Sequence, residues 1–301
     1  MKVRLALAAV LTGVGVLVPD AAPAATYAHL VRTDVGAEIG AGRGVATGTD
    51  VIWILAVGSD ARPGEDMLRV RGDALQLVGI DTRTGAATSI GIPRDSYVAI
   101  PDVGSDRVNA ALYYGGPQLL ARTVAEMVGI APDYVFVTTF PLFEEMVNDI
   151  GPITVRNPVA FSDPYLKPNG FPVGRLELRG YNAMAFARIR KSLIGGDFDR
   201  SANQQRVLRG IQARVAERAQ EPGFLADGVL SVLEHTETDA NPAELFRLAV
   251  AMAQVDPRRI TGCVVTGGYA TINGASVVTP DLALAQRLGD DARDDAEIEE
   301  C

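Results

Sequence analysis

Histidine and cysteine each occur only twice in 301 residues, and tryptophan once. His29 lies in a stretch of small residues and His235 near the end of a helix-period segment. Neither adjoins a candidate nucleophile, so Ser-His chemistry is disfavoured. No CxxC or Cys/His ligand spacing is present, which removes the usual zinc sites. Lysine is scarce as well: of 28 basic residues only Lys2, Lys167 and Lys191 are lysine. That bias is as compatible with a GC-rich genome as with function, so composition alone assigns it nothing. Basic charge is in deficit overall, with a formal net charge of -9. A general nucleic-acid binder carries a basic footprint against the phosphates, and this balance argues against one.

Long apolar runs are missing too, except at the start. In MKVRLALAAVLTGVGVLV, Lys2 and Arg4 precede about fourteen apolar residues, short for a bilayer span of ~20 and ordered like a secretory signal. Residues 1–25 are therefore expected to be a signal peptide or a signal anchor. Small residues from Ala21 to Thr26 permit cleavage, while Pro19 and Asp20 shorten the span without abolishing anchoring. The chain is expected outside the cytoplasm, tethered to the membrane surface by this segment or secreted to the cell envelope. In an exported chain a spare pair such as Cys263 and Cys301 suits a structural disulfide, with two free thiols as the alternative. The bridge would tie an acidic tail, residues 291–301, to the body. Residues 26–48, rich in Ala, Gly and Thr, read as a linker, and 49–290 as a single folded domain.

Within that domain VIWILAVG (Val51 to Gly58) is a continuous apolar run, the pattern of a strand buried on both faces. ALQLVGI and AATSIGI flank DTRTG and predict a hairpin. DYVFVTTF from Asp133 and ITGCVVTG from Ile260 predict further strands. Helix-period segments fall at 116–129, 141–151, 181–190, from Ser201, at 222–234 and at 242–253. Strands alternating with helices, plus a hairpin, predict an α/β fold: a three-layer α/β/α arrangement with a mixed central sheet in one catalytic domain.

The charges collect where strands end, which is where a sheet can fix a side chain and a loop can expose it. Asp60 follows the first strand, Asp73 precedes the second, and Arg94 with Asp95 follow the third. A second cluster, FARIRKSLIGGDFDRSANQQ, carries Arg188, Arg190, Arg200 and Gln204. Guanidinium groups grip phosphate bidentately and stay charged, while paired carboxylates supply hard oxygen ligands for Mg2+. Taken singly, each aspartate also fits a turn or cap and each Arg-Asp pair a solvated ion pair; the joint placement points to one anion site.

The run GSDAR, RGDALQLVGID, SIGIPRDSYVAIP, DRVNAALYYGGP and LRGYNAMAFARIRKSLIGGDFDRSANQQRVL, in that order, resembles the LytR-CpsA-Psr family over Val51 to Val207. The resemblance implies an extracytoplasmic α/β/α domain that transfers a glycopolymer from a polyprenyl pyrophosphate carrier to peptidoglycan. It implies Asp60 and Asp73 as ligands of Mg2+, with Mn2+ as a substitute. It also implies Arg62, Arg94, Arg107, Asn109, Arg188, Arg190, Arg200 and Gln204 around the pyrophosphate. Arg94, Asp95 and Asp73 are the candidate catalytic residues. Gly72 and Asn203 depart from the family pattern, where a serine and an arginine are common. A pyrophosphohydrolase acting on the same lipid and a non-catalytic lipid-binding envelope regulator are the alternatives.

Overall fold

The computed structural model describes residues 27–36 and 50–301. The expected signal segment at 1–25 and most of the expected linker lie outside them. No helix among the described residues is long and apolar enough to cross a membrane.

The chain opens with strands β1 (Ala28–Arg32), β2 (Val51–Ser59), β3 (Gly72–Asp81), β4 (Ala87–Gly91), β5 (Tyr97–Ile100) and β6 (Gly104–Arg107). Helix α1 (Ala110–Val128), β7 (Tyr134–Thr139) and α2 (Phe140–Ile150) follow. Four short strands come next, β8 (Ile153–Asn157), β9 (Phe161–Asp163), β10 (Lys167–Phe171) and β11 (Gly174–Leu178), then α3 (Gly180–Arg188) and α4 (Asp197–Arg218). The chain continues with α5 (Phe224–His235), β12 (Thr236–Thr238), α6 (Pro242–Gln254), β13 (Cys263–Val264), β14 (Gly267–Ile272), β15 (Ala275–Pro280) and α7 (Leu282–Ala292).

Seven strands form one sheet in the order β12-β1-β7-β2-β3-β4-β13. It is mixed, as expected: β2 runs antiparallel to β3 and parallel to β7, and β4 runs parallel to β13. The strand expected to be buried on both faces is buried unevenly. Val51, Trp53, Leu55 and Val57 of β2 enter the main core with α1 and α7, whereas the intervening Ile52, Ile54 and Ala56 stay half-buried. That alternation is the period of two that a strand imposes on its faces. The second face carries α6 on Ile52, Val78 and Ile80, with Ala251 and Val255 packed against them.

Helix α4 meets this second face through amides rather than aliphatic groups. Gln76 Nε2 donates to Ser201 Oγ at 2.9 Å and to Gln204 Oε1 at 3.0 Å, and Gln205 Nε2 donates to Cys263 O at 2.8 Å and Ser89 O at 3.1 Å. All these side chains are buried. Backbones come so close here that a Cβ on Gly91 would stand 2.4 Å from Ser201 Oγ.

Two expected boundaries change. Ala28–Arg32, within the segment read as linker, is a strand hydrogen-bonded antiparallel to β7 and parallel to β12. Its AHLVR buries Ala28, His29 and Leu30, and a single short strand among small residues gives too little periodicity to stand out. The acidic tail is not a free appendage either: Ala292, Ala296 and Ile298 lie in the main core, and Cys301 is disulfide-bonded to Cys263 as expected. The β14–β15 hairpin lies beyond the last strand the sequence pattern suggests.

Trp53 covers Gly79 across the β2–β3 pair, where an added Cβ would fall 2.6 Å from the indole ring. Gly79→Ala is expected to cost about 1–3 kcal/mol through overpacking. Urea unfolding followed by tryptophan fluorescence checks this directly, because Trp53 is the chain's sole tryptophan.

Candidate functional site

Antiparallel pairing delivers the charged residues to one end of the sheet. Ser59 pairs with Gly72, so Asp60 just beyond β2 and Asp73 at the start of β3 are neighbours, and the Asp60 N–H donates to Arg71 O at 3.3 Å. Strand β4 returns along β3 to the same end, and Ile92 and Pro93 carry the chain on to Arg94. Arg94 ion-pairs with Asp73, and its Nε lies 3.7 Å from Asp95 Oδ2. Burial works against the charged guanidinium, but Asp73, Asp95 and Asp197 together outweigh it and raise Arg94 above the ordinary arginine value.

Asp95 is shared. Besides Arg94 it faces Arg107 Nε at 3.6 Å and Arg190 Nη1 at 3.7 Å. These separations exceed hydrogen-bond length, so the carboxylate balances three cations electrostatically without committing to one. Arg190 also reaches Asp197 Oδ1 at 3.2 Å, and Arg200 reaches Asp197 Oδ2 at 3.0 Å. Asp197 and Arg200 are 4% and 5% exposed, so this pair lies inside the protein. Burial, reinforced by Arg94 and Arg190 and opposed by Asp197, lowers Arg200 to about 10, which leaves it charged at neutral pH. Arg188 ends α3 with its guanidinium 4.2 Å from the centre of the Phe140 ring and 3.6 Å from Asp60 Oδ1.

Most of the predicted residues therefore gather at the sheet end: Asp73, Arg94, Asp95, Arg107, Arg190 and Arg200 in one charged network completed by Asp197, and Asp60 with Arg188 as a separate pair beside the start of β3. Three differ in detail. Arg62 is exposed on the loop after β2, and its side chain makes no hydrogen bond or ion pair among the described residues. Gln204 is committed on both sides, accepting from Gln76 and donating to Ala187 O at 3.3 Å, so it fixes the backbone beside Arg188. Asn109 precedes α1 without capping it; it is buried, and its Oδ1 has no partner among the described residues.

Two contributors escape sequence reasoning. Asp197 lies in GGDF, a segment that suits a flexible turn equally well; its spacing of three from Arg200 on a helix is the available signal. The β14–β15 hairpin is the other. Val278 N donates to Asp95 O at 2.9 Å, and Arg107 Nη2 donates to Ser276 O at 2.8 Å, so the hairpin braces the loop that carries Arg94 and Asp95. Beside it opens a cleft of about 280 Å3, lined by Asp95, Arg190, Lys191, Asp197, Tyr269 and Ser276.

Asp60 and Asp73 bring two carboxylates, hard oxygen donors of the kind Mg2+ takes, to adjacent strand ends, where Asp73 is ion-paired with Arg94 and Asp60 with Arg188; no group of three or more acidic, His or Cys side chains that could hold a metal occurs among the described residues. The arginines gathered at the sheet end outnumber the aspartates, Arg94, Arg107, Arg188, Arg190 and Arg200 against Asp60, Asp73, Asp95 and Asp197, so the site has anion-binding capacity to spare. Asp197→Asn removes the counter-charge of a buried arginine, and a loss of about 3–5 kcal/mol is expected in urea unfolding.

The LytR_cpsA_psr family model matches residues 31–293. A polyisoprenyl-teichoic acid–peptidoglycan teichoic acid transferase TagU of Bacillus cereus is 28% identical over 199 residues, covering 66% of this chain and 63% of the relative. The chain thus spans less than two thirds of the length of that curated relative. Among solved structures, TagV of B. subtilis superposes with a TM-score of 0.67 at 25% identity, covering 79% of this chain and 95% of that one. TagT bound to LIIa-WTA superposes with a TM-score of 0.66 at 25% identity, covering 81% and 91%. With the family match spanning the sheet, the charged network and α7, the chain belongs to the LytR_cpsA_psr family.

Proposed function

We propose that this protein is a phosphotransferase that moves a glycopolymer from a polyprenyl pyrophosphate carrier onto peptidoglycan. The observation that carries the reading is Arg94, held among Asp73, Asp95 and Asp197 at the sheet end, with Arg190 on the same Asp95 carboxylate and Arg200 on Asp197. Phosphoryl transfer asks little covalent work of a protein and depends on in-line positioning and neutralised charge. The arginines supply both, because their forks match phosphate oxygens and never deprotonate near neutral pH.

In the reaction an acceptor hydroxyl oxygen bonds to the phosphorus next to the glycan, and the bond from that phosphorus to the bridging oxygen breaks. Polyprenyl phosphate leaves with the electron pair. Asp95 accepts the hydroxyl proton, and through its three arginine neighbours it also sets their positions. Asp60 and Asp73 are the residues that would hold Mg2+, which when bound adds positive charge against the phosphate oxygens. Arg107 and Asn109 close the side toward α1, and Arg62 lies at the edge of the loop within reach of a ligand longer than the pyrophosphate.

The prenyl chain needs an apolar surface. The half-buried Ile54 and Ala56 of β2 supply one on the second face of the sheet, bordered by Phe136 of β7 where it packs against Leu30, Val229 and Leu245. The aliphatic side chains of α1 do not contribute, since Leu120, Val124 and Val128 are consumed by the main core. The expected signal or anchor segment would place the site at the outer membrane surface, where carrier and peptidoglycan meet.

The deciding experiment incubates the protein with a labelled polyprenyl-pyrophosphate glycan, with and without peptidoglycan. Label should move to peptidoglycan; release only to water would instead support hydrolysis, and retention of the intact lipid a binding role. Arg94→Ala is expected to lower transfer by about 100- to 1000-fold while circular dichroism stays unchanged. Chelation with EDTA is expected to stop transfer and to lower the melting temperature relative to protein in Mg2+, with Mn2+ restoring both.

A further inference from the structure

A second cleft lies on the far part of α4, away from Arg94. It encloses about 440 Å3 between β8, α4 and the turn after α6, and Thr154, Arg156, Arg206, Arg209, Gln212 and Pro257 line it. Its arginines differ from those of the candidate site in having no carboxylate in ion-pair contact among the described residues. The side chains of Arg156 and Arg209 make no hydrogen bond or ion pair among the described residues, and Arg206 donates to the neutral amide oxygen of Asn203 at 2.8 Å. Arg175, opposite Arg156 in the β8–β11 pair, is likewise unpaired among the described residues. The chain carries 37 acidic residues. Of the nearby ones, Asp199 bonds Gly195 N, and Glu177 stands across from Thr154; neither is in contact with an arginine of the cleft.

Arg206 and Arg209 are three residues apart and share a face of α4. Burial lowers both guanidinium groups from the ordinary arginine value; at Arg206, Asp199 opposes the shift and the charge of Arg209 adds to it. Two like charges partly withdrawn from water, with only the more distant Asp199 acting on Arg206 and no carboxylate in ion-pair contact among the described residues, cost free energy, and an anion would recover it. Gln212, on the same helix, has its amide nitrogen committed to Val255 O at 3.2 Å and Met252 O at 3.5 Å, and its Oε1 has no partner among the described residues.

We infer that this cleft is an anion site separate from the Arg94 network, and that it takes a phosphodiester group of a polyol- or sugar-phosphate chain. Three guanidinium groups offer more donors than one carboxylate can use, whereas a phosphodiester keeps its charge inside a polymer and brings hydroxyl-bearing neighbours. Arg200 and Arg209 lie on one helix, separated by ~14 Å along its axis at 1.5 Å per residue. A polymer whose reactive end sits at Arg94 would thus have a later phosphate held here. That identity for the ligand rests on the proposed transferase reading; the existence of the anion site does not.

The test uses the full chain and phenylglyoxal, an arginine reagent, with each modified arginine mapped by mass spectrometry. A synthetic tri(glycerol phosphate) is expected to slow modification of Arg206 and Arg209 about tenfold at a concentration that leaves about one site in ten free. Inorganic phosphate at the same phosphate concentration is expected to protect them less. Equal protection by the two would overturn the polymer assignment, and protection by neither would overturn the site. Arg206→Gln/Arg209→Gln should lose about tenfold in calorimetric affinity for the oligomer, with no fall in melting temperature. Protection at Arg206 and Arg209 in a protein that fails to transfer glycan would refute the transferase reading and leave the anion site standing. Transfer without protection would do the reverse.

Discussion

The arrangement of charge depends on a neutral contact. Helix α4 reaches the sheet through Gln76, Ser201, Gln204 and Gln205, and it does so only because position 91 has no side chain. An aliphatic interface would hold the helix as firmly but would tolerate sliding; directed amide bonds to Ser89 O and Cys263 O fix its azimuth and its height. With that register set, the first turn of α4 places Asp197 and Arg200 beside Arg94, and the preceding loop brings Arg190 to Asp95. The site is thus assembled by the docking of one helix rather than by attraction among the charges, which would repel as readily as attract.

The resulting cluster is organised before any ligand arrives. Arg94 has three carboxylates acting on it, and its charged form is favoured despite burial. Asp95 faces three arginines at similar separations and hydrogen-bonds none of them. Such a carboxylate keeps cations close together without saturating their donors. An anion at this end of the sheet would meet guanidinium groups that are already gathered, so little reorganisation would be demanded of them.

Much of this is legible in the residues. The apolar runs mark β2, β3, β4 and β7, helical periodicity marks the six helices from α1 to α6, and aspartates and arginines at strand ends point to the site, because period and punctuation are local properties of the sequence. What escapes is non-local. The five-residue β1 has no periodicity of its own and is a strand only because β7 and β12 flank it. The β14–β15 hairpin, GGYATI and ASVVTP, is largely exposed and lacks an apolar face, yet it braces the loop of Arg94. Gln204 reads as a ligand residue because it follows Arg200 by four; only the tertiary fold shows its amide already shared between Gln76 and Ala187. The tail is acidic by composition, and nothing local in it marks Ala296 and Ile298 as core residues; they are buried beside a disulfide whose partner lies 38 residues earlier.

The position of β1 bears on how the molecule comes to be folded. It lies between β7, about one hundred residues later in the chain, and β12, about two hundred later, so neither of its edges can be satisfied by anything near it in sequence. Loop-closure entropy must be overcome twice before this strand contributes any stability, which makes folding slow relative to a chain of local hairpins. Until residues 236–238 arrive, the edge of β1 turned away from β7 is an open template for other chains. A chain of this topology is therefore most open to edge-to-edge association in the interval before that half of the sheet closes.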